Sequence, residues 1–151
     1  MGLLCFFAII EACIVTYLVA KYNNNDTYPS DSYRDRLKFL VFTSWWTVVF
    51  SAGYIAAFLV NSGSFLASIA SHGIWLFITW VFWTAGVASL THALGGGQRC
   101  SHSTLTYCSQ LVAAEAFGWI EWILITLMLI FVLFLGGRAV RKGDSVTSGL
   151  V

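Results

Sequence analysis

The stretch LVAAEAFGWIEWILITLMLIFVLFL, Leu111 to Leu135, decides the fold. It contains two acids, Glu115 and Glu121, and neither a basic residue nor a proline. A helix rises about 1.5 Å per residue, so a run of this length crosses the roughly 30 Å of bilayer hydrocarbon. The run does not alternate apolar and polar residues, which excludes a strand of a membrane barrel. In lipid the backbone must satisfy its own hydrogen bonds, and a helix does so within one segment.

Working outward, three more segments read the same way. Leu3 to Ala20 is interrupted only by Glu11, while Phe39 to Val60 and Gly73 to Leu94 carry no charge. The first is the shortest and begins beside Met1, but it lacks the basic leader and small-residue cleavage site of a signal peptide. The sequence therefore predicts an all-α integral membrane bundle with spans at about 3–20, 39–60, 73–94 and 111–135. These make one domain over 1–136, with a short tail at 137–151.

Composition agrees. The chain is 58% hydrophobic and 10% charged, against about 25% charged in soluble domains, so lipid must cover most of its surface. A net charge of +1 supplies no concentrated basic face for nucleic acid. His72, His92 and His102 form no zinc spacing, and Gly95-Gly96-Gly97 is not followed by the Lys-Ser/Thr of a phosphate loop. No catalytic, cofactor or metal set is expected.

The polar residues inside the spans are the candidates for function. An acid at the depth of Glu11 or Glu121 must be neutralised, paired or turned into the bundle. Ala114, Gly118 and Glu121 share one helical face, and Ala8 and Ala12 flank Glu11. Hydrogen bonds from these acids to Ser44, Thr79 or Ser89 are expected, with a proton-linked site as the rival reading. The second and third spans offer only scattered hydroxyls for such a pathway. Glu115, nearer the interface, is expected to be hydrated or paired with a loop arginine. Small residues allow helices to approach closely: Ser51, Gly53 and Ala57 on the second span, Ala114 and Gly118 on the fourth. They could serve the bundle or a second copy, so a homo-oligomer is expected.

Seven tryptophans are many for this length. An interfacial belt accounts for Trp75 and Trp119; Trp45, Trp46, Trp80, Trp83 and Trp122 lie deeper, as packing residues or, at Trp80 and Trp83, as flat lipid contacts. Val15 to Lys21, with Tyr17 and Lys21, fits a proposed sterol-contact pattern.

The loop between the first two spans and the loop between the last two share one side of the membrane. Cys100 and Cys108 lie in the latter, while Cys5 and Cys13 lie in the first span. Two thiols in one polar loop suggest a disulfide if that side is oxidising. A metal site with His102 is the rival, and it lacks an evident fourth ligand. Asn25-Asp26-Thr27 is a glycosylation sequon on the same side. The basic residues point the other way. Lys21, Arg34, Arg36, Lys38 and Arg99 lie on the cysteine side, against Arg138, Arg141 and Lys142 opposite.

Three further stretches carry a resemblance. They are Tyr33-Arg34-Asp35-Arg36-Leu37-Lys38-Phe39, then Trp80-Val81-Phe82-Trp83-Thr84-Ala85-Gly86, and a two-cysteine loop followed by Ala113 to Trp122, AAEAFGWIEW. Together they resemble fungal MARVEL-domain proteins, including the non-classical export proteins. The resemblance spans essentially the whole chain. It implies a four-helix bundle with both termini cytoplasmic and the cysteine pair outside, in the plasma membrane or secretory vesicles. It also implies non-enzymatic membrane organisation: vesicle trafficking, sterol-rich microdomains and eisosome-type compartments, with lipids, other copies and other membrane proteins as partners. It brings no catalytic residue. A small transporter or proton pathway through Glu11 and Glu121, and a subunit of a larger complex, are the alternatives.

A bond between Cys100 and Cys108 would stabilise the loop by roughly 2–3 kcal/mol through chain entropy. Non-reducing mass spectrometry of protein from intact cells should show the two cysteines in one cross-linked peptide. Two alkylatable thiols there would contradict the assignment.

Overall fold

The structure, a computed structural model, describes residues 1–26, 28, 30–60, 69–96 and 106–141. It contains helices α1 (Gly2–Asn25), α2 (Asp31–Val60), α3 (Ile69–Ala93) and α4 (Cys108–Arg141), and all four are long and apolar enough to cross a membrane. Each helix packs on two others, in the ring α1–α2–α3–α4.

Hydrogen bonds between helix ends show that the helices alternate in direction. The hydroxyl of Tyr22, late in α1, donates to the Thr106 carbonyl just before α4. That of Tyr33, early in α2, donates to the Ala93 carbonyl at the end of α3. At the opposite end Tyr54 of α2 meets the Ser71 hydroxyl of α3 at 2.7 Å.

The helices outrun the hydrophobic spans. The charged turn before Phe39 is helical from Asp31, held by an Arg34–Asp31 ion pair at 3.1 Å and by Arg36 donating to the Ser89 carbonyl at 2.6 Å. α4 likewise passes through Gly136-Gly137, where the tail was expected to begin, and reaches Arg141. Hydropathy measures the hydrocarbon layer, and a helix continues into the headgroup layer wherever its polar side chains find partners there. α1 stops at Asp26, whose left-handed backbone (φ 48°) lets its N–H bond back to Tyr22. α3 stops at Gly95 and Gly96, with φ of 73° and 85°, conformations that glycine adopts without steric cost. From Ile69 the chain is already helical, four residues before the uncharged span begins at Gly73.

Two glycines set the distances within the ring. A Cβ added at Gly118 would sit 2.7 Å from Val87 Cγ2, and one at Gly86 would sit 2.9 Å from Leu40 Cδ2. The small residues singled out in the sequence therefore divide. Ser51, Ala114 and Gly118 are buried within the bundle. Gly53 faces outward with nothing within 4 Å of an added Cβ, and Ala57 is half-buried.

Gly118→Ala should destabilise the bundle by about 1–3 kcal/mol, because the stiff Val87 side chain must move. Gly53→Ala should be neutral or stabilising by up to about 1 kcal/mol, because only backbone entropy changes. Reversible unfolding in mixed micelles measures both, and equal effects at the two sites would contradict the packing described.

Candidate functional site

Six of the seven tryptophans donate their indole N–H to a threonine hydroxyl on a neighbouring helix. Between α2 and α3 the exchange is reciprocal: Trp46 reaches Thr79 at 3.2 Å and Trp83 reaches Thr47 at 3.0 Å. Between α3 and α4 it closes a ring. Trp80 donates to Thr126 at 3.0 Å, and the Thr126 hydroxyl donates at 2.7 Å to the Trp122 carbonyl. Trp122 donates to Thr84 at 2.8 Å, and the Thr84 hydroxyl returns at 2.7 Å to the Trp80 carbonyl. Trp45 to Thr16 and Trp119 to Thr91, both at 3.2 Å, add outer links between α2 and α1 and between α4 and α3.

The chemistry follows from the threonine. In a helix its hydroxyl can donate to the carbonyl four residues earlier, which leaves an oxygen lone pair free to accept. The indole N–H is a donor only, so the two groups match. The pattern Trp-x-x-x-Thr occurs at Trp75–Thr79, Trp80–Thr84 and Trp122–Thr126; the last two form the ring, and the repeat was the available sequence signal. Two expectations are corrected here. Trp83 has no exposed surface and cannot be a lipid contact. Trp75 is 5% exposed and packs against Tyr54 and Phe50, so it does not stand in an interfacial belt.

The same depth holds the buried acids. Glu11 on α1 and Glu121 on α4 have no exposed surface, and neither do Thr43, Ser44, Thr47 and Ser51 on α2 or Thr79 on α3. Trp83 bonds to Thr47, and Trp122 bonds to Thr84, so Glu121 lies about level with Thr47. The hydroxyls of α2 form one inward line, rather than the scatter read from sequence. All four give their protons to their own helix: Thr43 to Phe39, Ser44 to Leu40, Thr47 to Thr43 and Ser51 to Val48. Neither acid has a hydrogen-bond partner among the described residues, which corrects the expected bonds to Ser44, Thr79 or Ser89. The proton of Ser44 is committed to the Leu40 carbonyl of its own helix. Glu115 is 8% exposed, buried rather than hydrated, and Arg99 of the adjoining loop lies outside the described residues.

At the end carrying the first and third loops, Tyr22 stacks on Tyr28 and meets Tyr107 edge-on, covering the bundle. Asn25 donates to the Tyr107 hydroxyl at 3.1 Å and is exposed; Thr27 of its sequon lies outside the described residues. Lys21 and Tyr17 are exposed side by side, the ammonium 5.8 Å from the ring centre. Cys108 is buried at the start of α4, and Cys100 lies outside the described residues. Among the described residues, no three His, Cys, Asp or Glu side chains are placed to hold a metal.

The outer surface is built differently. Phe42, Val49, Ile74, Phe77, Phe131 and Phe134 are among the large apolar side chains left exposed. Polar groups thus turn inward and apolar ones outward, as a lipid solvent requires.

The family model MARVEL, described as a membrane-associating domain, matches residues 1–131. No curated protein and no solved structure matches significantly.

An acid that finds no partner contributes desolvation cost without a compensating bond. Glu121→Leu should therefore raise stability by about 1–3 kcal/mol, and Glu121→Gln should not, since its amide needs partners too. Unfolding in micelles reads both. A Leu variant that is clearly less stable would mean that Glu121 has a structural partner.

Proposed function

Because this chain belongs to the MARVEL family, a domain of membrane-associating proteins, we propose that it is a non-enzymatic organiser of membrane. It acts by lateral assembly and lipid preference. The observation that carries this reading is the inside-out distribution of polarity: every indole–hydroxyl link closes within one chain, and the surface left for partners is apolar. On that surface Ala52, Gly53 and Ala56 of α2 are exposed small residues at the spacing that lets helices of two copies approach. Ala114 and Gly118 are already used inside the bundle, so α2 supplies the intermolecular face.

The domain covers residues 1–136 with a tail at 137–151, and both termini are cytoplasmic. Cys100 and Cys108 pair outside, and Asn25 shares that side. The plasma membrane or secretory vesicles are the location, with sterol-rich regions and eisosome-type compartments as the setting. The exposed Tyr17–Lys21 pair and half-buried Trp80 supply sterol-facing surface.

A proton pathway is the second reading, favoured by the two buried acids and the line of hydroxyls on α2. The fully buried side chains of Leu37, Leu40, Leu18 and Leu111 stand between that line and the end carrying the first and third loops. A dry apolar plug of this kind opposes conduction. Liposomes containing the protein should accordingly show no proton flux above protein-free controls.

Single-molecule photobleaching in native vesicles should give several steps per particle. Ala52→Leu with Ala56→Leu should reduce the step number while leaving the fold intact. Single steps for the unaltered chain across a wide range of protein-to-lipid ratios would overturn lateral assembly.

A further inference from the structure

Between α2 and α3, at the end carrying the first and third loops, lies a groove of about 590 Å³. Ala85 and Gly86 form its floor, Phe39 one wall, and Ser32, Asp35 and Arg36 its mouth. The floor is low for a reason already given: Leu40 occupies the place where a side chain at Gly86 would stand, and Ala85 offers only a methyl.

The mouth is polarised. Arg36 is half-buried and uses one N–H on the Ser89 carbonyl at 2.6 Å. Among the described residues it forms no ion pair, which leaves the rest of its planar donor fork for a ligand in the groove. Asp35, the next residue, also lines the groove and is mostly exposed. It forms an ion pair with Arg34 at 3.7 Å, too long for a hydrogen bond, and its exposed carboxylate can take a second cation.

Depth selects the ligand. The last charge of α2 is Lys38, and the uncharged span begins at Phe39. Arg36 and Asp35 therefore lie in the headgroup layer, and the groove reaches down to Phe39 and Ala85, where the uncharged spans begin. A site charged above and apolar below matches a phospholipid. A basic pocket between spans would select an anionic head. Here one cation and one anion stand side by side, which favours a head carrying both signs.

We propose that this groove binds one zwitterionic glycerophospholipid, its phosphate on the Arg36 guanidinium, its ammonium toward Asp35 and one acyl chain along Phe39 and Ala85. The proposal deepens the lipid preference of the proposed function and rests on that reading, but not on lateral assembly. A lipid held this way would be carried with the protein rather than exchanged freely with the bilayer.

The test uses the full chain in nanodiscs containing a trace of photoactivatable phosphatidylcholine. Cross-links should map to α2 and α3 peptides around Phe39 and Ala85. Arg36→Gln removes a charge-assisted bond, which corresponds to about a tenfold loss of labelling. Ala85→Phe fills the groove from an exposed position and should reduce labelling to a similar extent. Excess phosphatidylglycerol should compete less well than excess phosphatidylcholine. Unchanged labelling in both variants would overturn the proposal. Equal or better competition by phosphatidylglycerol would show a plain basic patch, and displacement by sterol alone would assign the groove to sterol; either result also overturns it. If Arg36→Gln fails to fold, Ala85→Phe decides. Photobleaching of the same samples separates the two claims, because lost labelling with intact oligomers refutes only the lipid site.

Discussion

An indole N–H placed in hydrocarbon is costly without an acceptor, and in this protein six of the seven find a threonine on the next helix, Trp75 being the one left without. The arrangement around Trp80, Thr84, Trp122 and Thr126 shows why it holds. Each threonine first satisfies its own helix by donating to a carbonyl, then accepts from the facing indole, so no polar atom of the ring is stranded. Such bonds contribute modestly one at a time, about 0.6 kcal/mol on average and up to about 1.7 in membrane proteins. Their effect here is geometric as well. Helix α3 exchanges a reciprocal pair with α2 and another with α4, so its rotation and depth are fixed from both sides. Gly118 and Gly86 then let the neighbouring helices come close enough for the bonds to form.

The outer surface follows from that interior. Once the hydroxyls and indoles are satisfied within one chain, what remains on the outside is largely apolar, with small residues exposed on α2. The exceptions inside are the Trp75 indole N–H and, at greater cost, the carboxyls of Glu11 and Glu121, all buried and without hydrogen-bond partners among the described residues. Residues that break a local rule without a packing gain commonly mark functional positions. The lack of any stabilising bond is why the two acids stay in view as the basis of the second functional reading.

Hydropathy made the four spans legible because the constraint behind it is strong: only helices and closed barrels cross lipid. It could not show that α2 begins at Asp31 or that α4 continues to Arg141, since those turns lie beyond the hydrocarbon. The site was less legible. Periodicity placed Ala114, Gly118 and Glu121 on one inward face, and the structure agrees. It could not say which threonine faces which tryptophan, because that depends on the relative depth of two helices. Trp83 read as a flat lipid contact for this reason, although Thr47 across the interface had already claimed its N–H. Ser44 looked like a free donor to an acid because its own helix was left out of the account; its proton is committed to Leu40. The division of small residues into inner Gly118 and outer Gly53 likewise required the neighbouring helix to be in place.

The claim on which the rest depends is that these indole–hydroxyl bonds couple the helices energetically. A double-mutant cycle on the fully buried pair measures it most directly: Trp83→Phe, Thr47→Val and the combination, unfolded reversibly in bilayer-like micelles. The account predicts non-additivity, with a coupling of about 1 kcal/mol. Additivity to within about 0.3 kcal/mol would contradict it, because Trp83 would then contribute only its volume.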